Sequence, residues 1–127
     1  MDTKTVILLI EDENNVRKTI KMLLEAMGGY KVITASDGKE GIKQANMFKP
    51  NLILLDINMP EMDGMHTLKI LKECTTTVKI PVVMLTGYSE DVYKVHASQL
   101  YDEDYILKPV DGKELVDRIE KVLSRRK

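Results

Sequence analysis

The sequence contains a single cysteine, no long apolar run and almost no net charge, and each of these absences excludes a class of protein. Cys74 alone cannot form an internal disulfide, so a disulfide-stabilised secreted fold is excluded. No apolar run approaches the roughly 20 residues of a membrane-spanning helix, and Val6–Ile10 is too short for a signal peptide. A net charge of −1 lacks the basic excess of nucleic-acid-binding domains. We therefore expect a cytoplasmic protein that contacts neither membranes nor nucleic acid directly.

The length of the chain limits it to one domain. Its 127 residues are enough for one compact unit and too few for two. Hydrophobic residues make up 43% of the chain, which is enough for a buried core. There are no internal repeats, low-complexity stretches or linkers, so we expect residues 1–127 to form a single domain.

Short apolar runs alternate with segments of helical periodicity, which indicates an α/β fold with a parallel sheet. We predict strands at residues 6–10, 31–35, 52–55, 82–85 and 105–107. We predict helices at residues 15–27, 90–101 and after Asp111, with two more around Ala45 and Leu68. The core-facing residues of the predicted helices include Val16, Ile20, Leu23, Leu24, Met27, Ile42, Ala45, Phe48, Leu68, Ile70, Leu71, Leu115, Ile119, Val122 and Leu123. We expect Gly28-Gly29 to end the first helix and Cys74 to be a small buried apolar residue.

Polar side chains follow four of the predicted strands. Glu11 and Asp12 follow the first strand, Asp56 the third, Thr86 the fourth and Lys108 the fifth. The carboxyl ends of parallel strands meet at one edge of the sheet, where ligands bind in such folds. Folding should therefore bring three carboxylates, a hydroxyl and an ammonium together. This combination suits a divalent cation and a phosphoryl group, because each component neutralises another.

Four segments carry a resemblance to a known family: ILLIEDE, LILLDINMPEMDG, VVMLTG and DYILKP. In this order and at this spacing, the chain resembles the receiver domain of two-component response regulators over essentially its whole length. The resemblance implies a flavodoxin-like (βα)5 doubly wound parallel sheet with strand order 2-1-3-4-5, the order of the chemotaxis receiver of that family.

The resemblance also implies a phosphorylation site. Asp56 would be the phosphoacceptor, because a carboxylate can attack phosphorus and hold the phosphoryl group as an acyl phosphate. Lys108 would pair with Asp56 before phosphorylation and bind a phosphoryl oxygen afterwards. The Thr86 hydroxyl would donate to another phosphoryl oxygen. We also expect a cis peptide between Lys108 and Pro109, as in the family.

The adjacent carboxylates predict a metal site, because they repel each other unless a cation lies among them. Mg²⁺, or Mn²⁺ in its place, is a hard ion that suits these oxygen ligands. The expected ligands are Asp12, Asp56 and the backbone carbonyl of Asn58, with Glu11 acting directly or through water.

The function implied is a phosphorylation-activated switch rather than an enzyme with a separate substrate. Thr86 and Tyr105 would be switch residues that change the surface of the helix at residues 90–101, the fifth strand and the last helix. The partners would be a sensor histidine kinase or a histidine phosphotransfer protein, and a downstream effector protein or a missing output domain. The protein would be a monomer or a phosphorylation-dependent dimer.

Three other functions remain alternatives. A phosphatase of the haloacid dehalogenase type would place a second aspartate two residues after the nucleophile, where this chain has Asn58. A flavodoxin would need a phosphate-binding loop after the first strand, and residues 11–13, Glu-Asp-Glu, would repel a phosphate. A degenerate receiver would lack part of the site, which is complete here. Departures from the family at Gly87, Val110 and residues 101–102 affect the output surface and kinetics rather than the chemistry.

Overall fold

The computed structural model describes residues 4–57, 64–87, 104–108 and 111–125. The strands are β1 (Val6–Ile10), β2 (Lys31–Ala35), β3 (Leu52–Asp56), β4 (Val82–Thr86) and β5 (Asp104–Leu107). The described helices are α1 (Asn14–Leu23), which a π-helical turn (Leu24–Gly28) continues, α2 (Gly38–Phe48), α3 (Gly64–Glu73) and α4 (Gly112–Arg125). The helix predicted at residues 90–101 lies outside the described residues.

The five strands form one parallel sheet in the order β2-β1-β3-β4-β5, which confirms the predicted order. Its register aligns the carboxyl ends of the strands: Ile10 pairs with Leu55, and Thr86 pairs with Leu107. Because all strands run in the same direction, the residues that follow them lie along one edge. The fold therefore brings the predicted polar residues to a common edge.

Two cores lie on opposite faces of the sheet. Side chains alternate along β1, so that Ile7 and Leu9 pack with α1 and α4, while Leu8 and Ile10 pack with α2 and α3. Every residue of β3 and β4 is buried. Burial on both faces explains why these strands read as continuous apolar runs rather than as an alternating pattern.

The end of α1 differs from the prediction. A π-helical turn, Leu24–Gly28, follows α1, and Gly29 then ends the helix with a left-handed φ of 69°. The predicted glycine stop is thus confirmed, but the prediction for Met27 was wrong, because this side chain is 53% exposed. A π turn advances each residue by a smaller angle than an α turn, so a face predicted from 3.6 residues per turn is displaced at Met27.

Side-chain hydrogen bonds cap the start of α2, whereas the end of α2 differs from the prediction. The Asp37 carboxylate accepts a hydrogen bond from the Glu40 N–H at 2.7 Å, and the Glu40 carboxylate accepts one from the Ser36 N–H at 3.1 Å. This reciprocal arrangement caps the helix N-terminus. The prediction that Phe48 faces the core was wrong, since the ring is 52% exposed. Phe48 is the last residue of α2, beyond the buried face that ends at Ala45.

The remaining helices confirm most of their predicted core residues. Leu68 and Leu71 of α3 are buried, as are Leu115, Ile119 and Val122 of α4. Cys74 is only partly buried, contrary to the prediction, and its thiol lies 3.0 Å from the Thr76 hydroxyl. Within the part of the chain that the structure describes, the helices lack the length and hydrophobicity needed to cross a bilayer.

Candidate functional site

Three carboxylates converge at the carboxyl edge of the sheet. Glu11, Asp12 and Asp56 each contribute an oxygen to a group whose atoms all lie within 4.8 Å of one another. Glu11 and Asp56 are 1% and 2% exposed, whereas Asp12 is exposed to solvent. The group is therefore a pocket with two buried carboxylates and one accessible carboxylate at its mouth.

The backbone around Glu11 holds its side chain in a fixed position. The Glu11 N–H donates to the Ala35 carbonyl at 3.0 Å, which extends the pairing of β1 and β2 beyond Ile10. The Glu13 N–H donates to Glu11 Oε2 at 3.1 Å. The other carboxylate oxygen, Oε1, is buried without a hydrogen-bond partner among the described residues.

Burial is also the main influence on the protonation of Glu11. Burial, together with the negative charge of Asp56, raises the pKa of Glu11 to about 7, although the Glu13 N–H and the Lys108 ammonium oppose the change. The Glu11 carboxylate is thus a costly charge in the protein without a cation.

Lys108 provides the positive charge of the site. Its ammonium Nζ lies 3.2 Å from Asp56 Oδ1 and 3.5 Å from Glu11 Oε1. Burial opposes the ammonium charge, but the two carboxylates outweigh this effect and raise the pKa of Lys108 above its ordinary value. The Lys108 N–H donates to the Thr86 carbonyl at 2.8 Å, so the end of β5 is tied to the end of β4.

The backbone that carries Asp56 is packed tightly against the start of α3. The Gly64 N–H donates to the Ile57 carbonyl at 3.2 Å. A Cβ atom at Gly64 would lie 2.2 Å from the Ile57 Cα and 2.6 Å from the Asp56 carbonyl oxygen. Only glycine allows this close approach, because both contacts are with backbone that cannot rotate away.

The predicted switch residues lie on neighbouring strands, with Thr86 at the end of β4 and Tyr105 near the start of β5. Thr86 is completely buried at the last position of β4. Tyr105 of β5 is partly buried and packs against the core on the α2 and α3 face. A Cβ at Gly87 would lie 3.9 Å from Lys108 Cδ, which is an ordinary contact. An alanine would therefore fit at position 87.

Several predictions concern residues outside the described part of the chain. These are the carbonyl ligand at Asn58, the cis peptide at Pro109, and the family departures at Val110 and residues 101–102. They stay predictions. His66 on α3 is exposed, as expected from the sequence.

Sequence reasoning missed one residue of the site, Arg17 on α1. Its guanidinium donates to the Glu11 carbonyl at 2.9 Å. The signal that was available is its spacing: Arg17 lies one helical turn after the acidic segment, within reach of that segment's carbonyls.

The donor set fits a divalent cation. Three carboxylates supply the hard oxygen ligands that Mg²⁺ prefers, and the buried Oε1 of Glu11 has the Lys108 ammonium at 3.5 Å but no hydrogen bond among the described residues, so a cation could add to its neutralisation. The site therefore contains ligands for a metal ion beside a lysine that contacts the central aspartate.

Comparison with known proteins identifies the family. The response regulator receiver domain family matches residues 7–120. The alkaline phosphatase synthesis transcriptional regulatory protein PhoP of Bacillus subtilis (strain 168) is 38% identical over 119 residues, which cover 94% of this chain and 48% of PhoP. The phosphate regulon transcriptional regulatory protein PhoB of Klebsiella pneumoniae is 40% identical over 119 residues, which cover 94% of this chain and 52% of PhoB.

A solved structure supports the same assignment. The chemotaxis protein CheY4 of Vibrio cholerae matches with a TM-score of 0.86 and 25% identity, covering 94% of this chain and 99% of the CheY4 chain. The chain belongs to the response regulator receiver domain family of two-component signalling systems. It spans about half the length of the curated relatives PhoP and PhoB.

Proposed function

We propose that this protein is a phosphorylation-activated switch whose phosphoacceptor is Asp56. The observation that carries the proposal is the contact of Asp56 with both kinds of charge. Its carboxylate belongs to the three-carboxylate group with Glu11 and Asp12, and its Oδ1 lies 3.2 Å from the Lys108 ammonium. An isolated aspartate at a strand end would need neither set of neighbours.

The donor would be the phosphohistidine of a sensor histidine kinase or of a histidine phosphotransfer protein. An Asp56 oxygen attacks phosphorus, a new O–P bond forms, and the P–N bond breaks with its electron pair going to the leaving imidazole nitrogen. The product is an acyl phosphate. Positioning and neutralisation of charge are the main contributions that protein groups make to such a transfer.

Lys108 has a contact that suits two stages of this reaction. Before transfer it pairs with Asp56, which holds the carboxylate in place and offsets part of its charge. After transfer the same ammonium, on its flexible stem, binds a phosphoryl oxygen instead. The tie between the Lys108 N–H and the Thr86 carbonyl keeps the stem at the site during this exchange.

Asp12 and Asp56, with Glu11 directly or through water, would hold Mg²⁺ or Mn²⁺, together with the carbonyl of Asn58. When bound, the ion supplies positive charge that offsets the carboxylates and the incoming phosphoryl oxygens. Asp12 is exposed and short, which suits it to direct coordination at the mouth of the pocket.

Phosphorylation would reach the protein surface through Thr86 and Tyr105. The Thr86 hydroxyl would donate a charge-assisted hydrogen bond to a phosphoryl oxygen, and Tyr105 would repack into the space that Thr86 leaves. Each bond contributes only about 1.5–3 kcal/mol, so the effect is a shift between two populated states. The altered surface would then engage an effector protein or an output domain such as the transcriptional relatives suggest.

Mass spectrometry after incubation with acetyl phosphate and Mg²⁺ tests the proposal. The wild-type protein should gain the mass of one phosphoryl group, and Asp56→Asn or chelation of the metal should abolish the gain. Asp117→Asn, at an exposed position on α4, is the matched control and should label normally. Labelling of Asp56→Asn at the wild-type level would contradict the proposal.

A further inference from the structure

We infer that Arg17 is a positioning residue for the acidic turn, residues 11–13, which connects β1 and α1. Arg17 holds this turn in the geometry that binds the cation. This inference rests on the proposed function, because it concerns the metal site of that function. Among the described residues, Arg17 donates hydrogen bonds to backbone carbonyls and to the Asn14 side chain rather than to the carboxylate oxygens of the pocket. It therefore acts on the backbone that carries those carboxylates.

Within the part of the chain that the structure describes, the guanidinium of Arg17 makes three hydrogen bonds. Nη1 donates to the Glu11 carbonyl at 2.9 Å and more weakly to the Asp12 carbonyl at 3.4 Å. Nη2 donates to the Asn14 side-chain oxygen at 2.5 Å, which fixes the orientation of the planar group. Arg17 is half-buried, whereas the next residue, Lys18, is exposed. One side chain thus ties together the end of β1, the acidic turn and the start of α1.

The acidic turn needs such support because the strand pairing ends within it. Among the described residues, the last hydrogen bond from this segment to β2 is the one that the Glu11 N–H donates to the Ala35 carbonyl. Beyond this point the carbonyls of Glu11 and Asp12 depend on other donors, and the guanidinium supplies them. The carboxylates on the same two residues repel each other and Asp56, which favours any rearrangement of the turn that separates them. Arg17 opposes that rearrangement.

Positioning and simple electrostatics predict opposite effects on cation binding. If Arg17 acts only as a positive charge near the pocket, then its removal should strengthen Mg²⁺ binding, and Arg17→Lys should change little. If the planar, two-nitrogen geometry matters, then Arg17→Lys and Arg17→Gln should both weaken binding, because neither side chain can bond the turn carbonyls and Asn14 together.

The experiment is a Mg²⁺ titration of the purified chain, followed by amide NMR shifts, on wild type, Arg17→Lys and Arg17→Gln. We expect about tenfold weaker Mg²⁺ binding in both variants. Losses of this size are typical when a residue that orients a metal ligand is replaced. Asn14→Ala should give a smaller loss in the same direction. Lys18→Gln removes an equal charge from the neighbouring position and is the matched control; it should bind Mg²⁺ within about twofold of wild type.

A second readout separates positioning from a general loss of stability. In metal-free protein, the amides of residues 11–13 should exchange with solvent faster in both Arg17 variants, while the amides of β3 and β4 should be unchanged. Phosphorylation by acetyl phosphate should need about tenfold more Mg²⁺ for its half-maximal rate, with the maximal rate restored at saturating Mg²⁺.

The outcomes distinguish this inference from the proposed function. If wild type binds no Mg²⁺ and does not label, the proposed function fails. If wild type binds and labels while Arg17→Lys matches it, the positioning role is refuted. Stronger Mg²⁺ binding by Arg17→Gln would refute it as well and would assign Arg17 a purely electrostatic effect.

Discussion

Replacing Glu11 with glutamine should stabilise the metal-free protein, and the gain should grow as the pH rises. Glu11 is 1% exposed, and burial is the largest cause that raises its pKa to about 7. Its ordinary value is 4.5. Glutamine has nearly the same shape as the protonated carboxyl and never ionises. The variant therefore isolates the free energy that the folded state loses when this buried carboxyl loses its proton.

The sign of the pH dependence follows from proton binding. Between pH 4.5 and about 7, the Glu11 carboxyl is protonated in the folded protein and ionised in the unfolded chain. The folded state therefore binds more protons, so this residue makes stability fall as the pH rises through that window. Below the window and above it, the contribution is constant. This is opposite to the behaviour of a carboxylate whose pKa is lowered by folding.

The size of the effect follows from the same two values. At about 1.36 kcal/mol per unit of pKa, the full destabilisation above pH 7 is about 3 kcal/mol. At pH 5 the unfolded carboxyl is already mostly ionised, but this pH lies only about half a unit above its ordinary pKa, so the loss there is roughly 1 kcal/mol. Glu11→Gln should therefore gain roughly 2 kcal/mol more at pH 8 than at pH 5.

Urea unfolding in the presence of a chelator, at several values between pH 5 and pH 8, measures this difference. Glu13→Gln is the matched control, because Glu13 is exposed and only its backbone N–H contacts Glu11. Its effect should be small and independent of pH. With saturating Mg²⁺ the advantage of Glu11→Gln should shrink, because the cation stabilises the ionised carboxylate. A gain that is equal at all pH values would refute the reasoning from burial.

Other perturbations test the remaining parts of the site. Gly64→Ala should destabilise the protein by about 2 kcal/mol or more in urea unfolding, because the new Cβ would lie 2.2 Å from the backbone. Gly87→Ala should change the free energy of unfolding by no more than about 0.5 kcal/mol, because its Cβ would have its nearest contact at 3.9 Å. Asp12→Asn should weaken Mg²⁺ binding more than Glu11→Gln in titrations, because Glu11 Oε2 already accepts a backbone hydrogen bond; equal affinities would contradict this. Thr86→Ala should still label with acetyl phosphate but lose the amide NMR shifts of residues 104–108 and 111–125 that a phosphate mimic induces; unchanged shifts would exclude Thr86 as the coupling residue.

The sheet, and the convergence of polar residues at its carboxyl edge, could be predicted from the sequence because both depend on simple patterns. Strands buried on both faces must be short apolar runs, and β1 and β2 begin and end where predicted. Parallel strands then force the residues after them to one edge, so Glu11, Asp12 and Asp56 had to meet. No knowledge of side-chain packing is needed for this step.

The failed predictions concern features that a fixed period cannot represent. Met27 was assigned to the core from a period of 3.6, but the π turn at Leu24–Gly28 changes the angle between residues. Phe48 was predicted to extend the apolar face of α2, but it lies beyond the last buried residue of that helix and is exposed. Cys74 was predicted to be buried because cysteines are buried on average. Its contact with the Thr76 hydroxyl depends on the local chain conformation, which that average does not include. Arg17 was missed because its spacing after the acidic segment does not by itself identify the backbone carbonyls of that segment as its partners.

The charges of the site suggest why so many groups converge on it. The three carboxylates and the Lys108 ammonium leave two formal negative charges in the pocket. The raised pKa of Glu11 reduces this charge by taking up a proton, which a divalent cation would release on binding. A phosphoryl group on Asp56 would bring further negative charge, so both the cation and Lys108 would then be needed to offset it. A proton on Glu11 thus reduces the negative charge of the metal-free pocket, and we expect a metal ion and a lysine to reduce the negative charge of the phosphorylated pocket.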